Sequence, residues 1–553
     1  MATEGTSTSG ALHQQWLKQV DTALRSQGQP AAAALAVQAV AAGVDHPAVL
    51  NLAGQAHFGE GRIEEAASML RRARKLAPND AHVLNSLAIC EQALGQVDAA
   101  LGAYSAALRA DPSLAAAHYN RGSLLKETGE VAAAREDFVA AIALDRNYVD
   151  ALSALAWLES EAGNTEVARP HAERALSLAP TAALARMALA SAELQAGDLD
   201  KTAGHLSLLN RDPALSPLNR AIVLGLIADL QDAAGRHGEA FRFYQASNEA
   251  LRALNAPFYE EPGVETALGR ARRLGDYFEG ADPKAWHEAP SVRPRAADPR
   301  AHVFLVGFPR SGTTLLENVL AAHPEVVSLE EKDCLERVAD PYLATDKGLD
   351  RLAHLPPQES ARQRDAYWAC VRSHGVEPRG RIFIDKFPLS SVQLPVIAKL
   401  FPSARILFAR RDPRDVVLSC FRRRFGINAS MYQMLTLAGA AAFYDAVMRL
   451  SEIYLGILPL PYHVVRYESL VDDFEATARS VCDFLGIDWT PEMLDFAAKA
   501  RARGIGTPSA AQVARGLNRD GQGVWRRYEA QLRPVLPLLE AWVRQFGYSD
   551  QPV

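Results

Sequence analysis

The sequence predicts two structural classes in one chain: an all-helical solenoid over residues 1–254 and a doubly wound parallel α/β domain over residues 301–553. A glycine-centred pattern that recurs every 34 residues in the first half predicts the solenoid. Apolar runs that alternate with helical patterns in the second half predict the parallel sheet. At 553 residues, the chain also exceeds the size of a single hydrophobic core.

Composition and charge exclude several classes of function. The formal net charge is −6, so no overall basic field favours nucleic acid. The polar start and the lack of about 18 consecutive apolar residues predict neither a signal peptide nor a membrane span. The five cysteines are scattered without C-x-x-C spacing, so we expect free thiols in a cytoplasmic protein and no zinc site.

The first half contains a repeated unit of 34 residues. Alanines follow the repeated glycine at fixed distances, and prolines stand after several units. Glycine permits a sharp turn between two helices and alanine permits close helix packing, so each unit is predicted to be a helical hairpin. The repeated glycines are Gly61, Gly95, Gly129, Gly163 and Gly197.

This pattern resembles the tetratricopeptide repeat (TPR). The resemblance implies a superhelix whose concave face binds a peptide or protein, here the acceptor substrate. Alternatively, the repeats only pack against the second half or mediate homodimer formation. Residues 255–300 are predicted to comprise a helix that caps the solenoid, over 264–280, and a proline-rich linker over 281–300.

In the second half, four apolar runs are predicted to be buried parallel strands, each followed by a helix. Ligands bind at the carboxyl ends of such strands, and the chemically informative motifs of this chain follow them. The predicted strands are 302–308, 381–386, 405–411 and 462–470.

The first motif, GFPRSGTT at 307–314, nearly fits the phosphate-binding loop G-x-x-x-x-G-K-[ST] but has Thr313 in place of the lysine. Backbone N–H groups at a helix start can still hold one phosphate group. Ser311, Gly312, Thr313 and Thr314 are therefore predicted to bind a single phosphate without metal, with Arg310 beside it.

A second motif, RILFARRDPRDVVLSCFRRRF at 405–425, reads as a strand, a turn and a helix. Together the two motifs resemble the 5′-phosphosulfate loop and the 3′-phosphate element of the sulfotransferases. The resemblance implies 3′-phosphoadenylyl sulfate (PAPS) as the donor and adenosine 3′,5′-bisphosphate (PAP) as the product. It places Arg411 and Ser419 on the 3′-phosphate, with Arg423 one turn beyond Ser419.

The resemblance is closest to the protein-tyrosine sulfotransferases, through P-R-S-G-T-T-L, A-H-P-E-V at 322–326 and the Glu330–Glu331 pair. It implies Glu330 as the base that takes the proton of the acceptor hydroxyl, with Glu331 as the alternative. His323, in the A-H-P turn, is predicted to pack or cap instead.

The same resemblance assigns the remaining site residues. Lys386 and Arg310 are implied to stabilise the leaving oxygen, and Ser509 is placed near that oxygen or near the phosphate. Tyr467 is implied to contact the 3′-phosphate region. No motif with the spacing of metal ligands is found, so no metal is predicted.

Three functions remain open from the sequence. The first is a PAPS-dependent sulfotransferase whose acceptor is a protein tyrosine, a glycan, a lipid or a small molecule. The second is a P-loop-type small-molecule kinase, against which Thr313 counts because the lysine is missing. The third is a catalytically inactive TPR adaptor, against which the presence of Arg310 and Lys386 counts.

Overall fold

The computed structural model describes residues 5–288, 298–503 and 516–548. The chain forms two compact units: the first contains Met1–Glu159 and Glu166–Ala188, and the second contains Ser160–Thr165 and Leu189–Val553. The predicted fold class, a helical repeat region followed by a parallel α/β domain, is confirmed. The domain boundaries at 254 and 300 stay a prediction.

The repeat region consists of fourteen consecutive helices in the described residues, and the two helices of a hairpin, such as Pro47–Gly59 and Ile63–Leu76, pack against each other. Each repeated glycine has a φ between 71° and 83°, a left-handed conformation that lets the chain reverse between the helices. The helices are α1 Gly5–Ser26, α2 Gln29–Ala41, α3 Pro47–Gly59, α4 Ile63–Leu76, α5 Ala81–Ala93, α6 Val97–Ala110, α7 Ala115–Glu127, α8 Val131–Leu144, α9 Val149–Ala162, α10 Thr165–Leu178, α11 Ala183–Gln195, α12 Leu199–Asn210, α13 Pro217–Ala233 and α14 His237–Tyr259.

The segment predicted as cap and linker differs in part from expectation. Helix α15 (Ala267–Glu279) packs against a helix of the α/β domain, Leu437–Ile457, and shares one apolar core with Ala240 and Tyr244 of α14. Its role as a cap of the solenoid stays a prediction. The short helix α16 (Pro283–His287) buries Trp286 in the same apolar core, so residues 283–287 are not an open linker. The proline-rich composition indicated a linker, whereas one large apolar residue, Trp286, anchors this segment in the core.

The sheet of the second unit has five parallel strands in the order β2-β3-β1-β4-β5. Strand β2, with the short sequence VVSLE, was not predicted; it lies at one edge of the sheet and is only partly buried. The segment predicted as a strand over 462–470 ends at Arg466, where a helix begins. The strands are β1 Ala301–Gly307, β2 Val326–Glu330, β3 Ile382–Lys386, β4 Arg405–Arg410 and β5 Tyr462–Arg466.

Both faces of the sheet are covered by helices. Along β1, Phe304 and Val306 belong to one apolar core, while Val303 and Leu305 belong to the other. This alternation is what a doubly wound sheet requires. The helices are α17 Thr313–Ala321, α18 Glu336–Leu343, α19 Asp346–Ala353, α20 Pro357–Ser373, α21 Leu394–Leu400, α22 Pro413–Arg422, α23 Ala429–Gln433, α24 Leu437–Ile457, α25 Tyr467–Asp472, α26 Phe474–Leu485, α27 Phe496–Arg503, α28 Glu529–Leu532 and α29 Leu536–Gln545, with 3₁₀ turns at Pro388–Gln393, Pro491–Asp495 and Val524–Tyr528.

The expectation of five free cysteines is wrong. Cys334, which follows β2, forms a disulfide with Cys370 on α20, although 36 residues separate them in sequence. His374 lies beside this pair, within 4.8 Å, but both sulfurs are consumed by the disulfide. No helix within the described ranges is long and apolar enough to cross a bilayer.

Candidate functional site

A cavity of about 470 Å³ opens at the carboxyl edge of the sheet, where the loops after β1, β4 and β5 meet. It lies within the second unit. Eight of the predicted site residues line it: Arg310, Gly312, Thr313, Thr314, Arg411, Ser419, Arg423 and Tyr467. The two separate motifs therefore meet at one site, as expected for loops that follow the neighbouring parallel strands β1 and β4.

The loop after β1 holds an unusual backbone conformation. Arg310 has φ 70° and Gly312 has φ 98°, so the chain turns sharply before α17 begins at Thr313. A Cβ on Gly312 would lie 2.7 Å from Cδ2 of Tyr467, so glycine is required twice, for conformation and for space. Ser311 donates its hydroxyl to the Phe308 carbonyl at 2.6 Å and serves the turn itself.

Arginines crowd one wall of the cavity. Nε of Arg310 donates to Oγ of Ser419 at 3.0 Å. Burial, followed by the charges of Arg423 and Arg411, lowers the pKa of Arg310 to about 9. A guanidinium remains charged at neutral pH even so. An anion placed here would relieve the mutual repulsion of these cations.

Arg411 is held by carbonyls and an aromatic ring. Its Nη1 donates to the Arg310 carbonyl at 2.9 Å and its Nη2 to the Gly521 carbonyl. The guanidinium lies 4.8 Å from the ring centroid of Tyr467. Its buried Nε has no hydrogen-bond partner among the described residues. Arg411 is thus rigidly placed and keeps one donor for a ligand.

Arg423 follows the last residue of α22, where the chain leaves the helix. In the part of the chain that the structure describes, its side chain makes neither a hydrogen bond nor an ion pair. Burial, followed by the charge of Arg424, lowers the pKa of Arg423. The charges of Asp229 and Glu161 act in the opposite direction but do not outweigh burial, so this side chain brings a positive charge without an ion-pair partner among the described residues to the cavity wall.

A buried lysine lies among three carboxylates beside the cavity. Nζ of Lys386, at the end of β3, is 2.8 Å from Glu331, 3.4 Å from Glu317 and 3.8 Å from Glu330. Burial alone would lower the pKa of Lys386, but the three carboxylates outweigh it and hold that pKa above the usual value. Lys386 is therefore a firmly charged anchor.

The two candidate bases occupy different positions. Glu330 ends β2 opposite Lys386, and its side chain is 21% exposed. Glu331 is 33% exposed, has φ 44° and lines the cavity, which Glu330 and Lys386 do not. A left-handed conformation costs a non-glycine residue about 1–2 kcal/mol. Such strain is often retained at functional sites, and here it turns Glu331 towards the cavity.

The remaining predicted residues lie elsewhere. Ser509 lies outside the described residues. His323 is buried, accepts the Glu325 N–H at 3.1 Å and contacts the Asp488 carbonyl at 2.9 Å. It packs and caps, as predicted.

Several cavity residues were missed by sequence reasoning. Asp415 accepts the backbone N–H groups of Gly523 at 2.7 Å and Trp525 at 2.9 Å, and so ties the C-terminal segment to α22. Its place in R-D-P-R-D, one helical turn before Ser419, was the available signal. Asp229 and Asp232 come from the repeat region, and their acidic side chains on a helix gave no signal.

The fold and the site define a parallel α/β domain with an arginine-lined cavity at the carboxyl edge of its sheet, preceded by helical repeats. Residues 302–491 match a family described as the sulfotransferase family. Segments within 17–214 match TPR families, at 17–81, 92–129, 115–148 and 153–214. The chain therefore combines TPR repeats with a sulfotransferase-family domain.

Two proteins that are similar to part of this chain are named protein-tyrosine sulfotransferases. The chain is 30% identical over 202 residues to protein-tyrosine sulfotransferase 2 of Gallus gallus, a match covering 35% of this chain and 53% of the relative. It is 29% identical over 201 residues to the protein-tyrosine sulfotransferase of Drosophila melanogaster, covering 35% and 39%. The chain thus spans about half or less of the length of these relatives. A TPR protein from Parabacteroides merdae aligns with 43% of this chain and 94% of its own, with 18% identity and a TM-score of 0.32.

Proposed function

We propose that the chain is a sulfotransferase that transfers a sulfuryl group from PAPS to an acceptor hydroxyl. The observation that carries this proposal is the cluster of Arg310, Arg411 and Arg423 beside the lysine-free turn at Gly312. PAPS bears two separated phosphate groups and needs two anion-binding elements. The turn and α22 supply them on one cavity wall.

In this reaction, the acceptor oxygen forms a bond to sulfur while the bond from sulfur to the 5′-phosphate oxygen breaks. The acceptor loses its proton to a carboxylate, and the negative charge passes to the departing phosphate. Glu331 is the base that the geometry favours, because it lines the cavity and Glu330 does not. Base catalysis of this kind contributes roughly 10²- to 10⁴-fold.

Lys386 acts chiefly on Glu331 in this arrangement. It is fully buried and its Nζ is 2.8 Å from the Glu331 carboxylate. It fixes the carboxylate and balances part of the charge of the three glutamates. Arg310, which lines the cavity, is then the cation available to the leaving oxygen. The role of Ser509 beside that oxygen stays a prediction.

We infer that the acceptor is a tyrosine in a peptide or protein. The named relatives are protein-tyrosine sulfotransferases, and the TPR region offers helical hairpins of a kind that bind peptides. In this proposal the repeats recruit the acceptor. Glycans, lipids and small phenols present similar hydroxyl groups and are competing substrates in the test.

Donor binding is tested by calorimetric titration of the full-length protein with PAP, with and without Mg²⁺. We expect PAP to bind without Mg²⁺, because the loop has no lysine and the site presents arginines. ATP and PAP should be compared in parallel. Hydrolysis of ATP by a protein that ignores PAP would refute the proposal and favour the P-loop kinase.

The base is tested by a matched pair of substitutions, Glu331→Gln and Glu330→Gln. Each removes one negative charge near Lys386 and preserves the size of the side chain. We expect Glu331→Gln to lower the rate of transfer from labelled PAPS at least 100-fold without changing PAP affinity, and Glu330→Gln to have a smaller effect. The reverse order would assign the base to Glu330, and no effect of either would exclude carboxylate catalysis here.

A further inference from the structure

The hairpin formed by α13 and α14 belongs to the same compact unit as the α/β domain. Its residues Asp229, Asp232 and Tyr244 line the cavity beside the arginines of α22. The last helical hairpin before the α/β domain is therefore part of the wall of the candidate site, although its sequence reads as a repeat unit.

Three consecutive arginines at the end of α22 have different partners. Arg422 forms an ion pair with Asp232, and Nη2 of Arg424 donates to Asp229 at 2.9 Å. Only the middle residue, Arg423, has no ion pair among the described residues, and it lines the cavity. The hairpin therefore forms ion pairs with the two outer arginines, while the charge of Asp229 reaches the central one without a direct contact.

Both aspartates are held in place by other groups. The hydroxyl of Tyr244 donates to one oxygen of Asp229 at 2.7 Å, and Arg424 donates to the other, so both carboxylate oxygens accept a hydrogen bond. Asp232 accepts from the Tyr528 hydroxyl and lies 3.0 Å from Nδ1 of His237. Burial opposes ionisation of Asp232, but the charge of Arg422, followed by the Tyr528 and His237 bonds, lowers its pKa below the usual range.

The backbone of α22 is fixed by the same hairpin. The buried Asn248 side chain donates to the Phe421 carbonyl at 2.8 Å, which satisfies one of the last carbonyls of the helix. A Cβ on Gly225 of α13 would lie 2.6 Å from Nη1 and 2.9 Å from Cδ of Arg424, so the absence of a side chain there makes room for this arginine. Side chain and backbone contacts thus both set the direction of the Arg422–Arg424 segment.

We propose that Asp229 and Asp232 are positioning residues for the donor site, which hold Arg422 and Arg424 so that, of these three consecutive arginines, Arg423 is the one presented to the 3′-phosphate of the donor, beside Arg411. This inference rests on the proposed function. The two aspartates do not touch the nucleotide themselves. They act through the arginines that they restrain.

The direction in which Asp229→Asn changes the affinity for PAP distinguishes a positioning role from a purely electrostatic one. Asp229→Asn removes a negative charge near the cavity, so a purely electrostatic role predicts tighter binding of an anion. Positioning predicts the opposite, because Arg424 is released and Arg423 loses its fixed direction. We expect PAP to bind roughly tenfold more weakly to Asp229→Asn, the loss typical of one charge-assisted hydrogen bond.

The matched control is Asp346→Asn. Asp346 pairs with Arg273 at 3.1 Å, as Asp229 pairs with Arg424, but it does not line the cavity. We expect it to leave PAP affinity unchanged. Asp232→Asn is the second test variant and should weaken binding as Asp229→Asn does. Circular dichroism and thermal unfolding confirm that each variant is folded before titration.

Two further measurements identify the route of the effect. Adenosine 5′-monophosphate lacks the 3′-phosphate, so its affinity should fall much less than that of PAP in Asp229→Asn. In an Arg423→Gln background, Asp229→Asn should cause no further loss, since its effect passes through Arg423. Additive losses, or equal losses for both nucleotides, would overturn the inference.

The outcomes also distinguish this inference from the proposed function. If the wild-type protein does not bind PAP, both fail together. If the wild type binds PAP while Asp229→Asn and Asp232→Asn bind it equally well or more tightly, the positioning role is refuted and the sulfotransferase proposal stands.

Discussion

Substitution of Arg411 by alanine is expected to weaken PAP binding while leaving the protein folded. The guanidinium keeps one buried donor, Nε, without a partner among the described residues, and it lies beside the Gly312 turn. One charge-assisted hydrogen bond contributes about 1.5–3 kcal/mol. At 1.4 kcal/mol per tenfold, this predicts a rise in Kd of about 10- to 150-fold.

The same substitution has a structural cost that must be separated from binding. Arg411 also donates to the carbonyls of Arg310 and Gly521, so alanine should lower the free energy of unfolding by about 2 kcal/mol. Arg405→Ala is a suitable control, because Arg405 donates to the Phe484 carbonyl at 3.1 Å and does not line the cavity. Titration calorimetry well below the unfolding temperature measures Kd directly. Equal PAP affinities for wild type, Arg411→Ala and Arg405→Ala would refute the assignment of Arg411 to the donor site.

Three other substitutions test separate features. Gly312→Ala should weaken PAP binding by at least tenfold, since φ 98° costs about 1–2 kcal/mol and the new Cβ displaces Tyr467, and wild-type affinity in titration would contradict this. Burial raises the pKa of Asp415 to about 6, so the native state takes up its proton first as pH falls. Wild type should therefore gain about 2 kcal/mol in free energy of unfolding relative to Asp415→Asn between pH 7 and 4, and a constant difference in denaturant titrations would exclude this. Cys370→Ser removes a disulfide between residues 36 apart and should lower the free energy of unfolding by about 4 kcal/mol. If reduction of the wild-type protein leaves its free energy of unfolding unchanged, this prediction is wrong.

Much of the fold could be predicted from the sequence, because its signals are periodic. The glycine spacing reflects a backbone requirement, and the structure shows the required positive φ at each repeat. The buried strands β1, β3 and β4 were visible as continuous apolar runs, and β5 was predicted as well although only one of its residues is buried. The edge strand β2, with two buried side chains among its five residues, was not predicted.

The candidate site could be predicted only where its residues lie in local motifs. The turn at Gly312 and the helix carrying Ser419 are such motifs, and both line the cavity. The pairing of Cys334 with Cys370 depends on how α20 packs, which spacing does not encode. Asp229 resembles a solvated helix residue, and only the tertiary structure brings it to Arg424, 195 positions away.

The entry of α13 and α14 into the second unit bears on how the chain can be divided. A fragment starting at residue 301 would contain every predicted catalytic residue but would expose the apolar surface that Tyr244 and Ala240 cover. It would also leave Arg422 and Arg424 without their acidic partners. Most of the repeats nearer the N-terminus belong to the other unit, whereas this last hairpin has to be kept together with the α/β domain when the chain is divided.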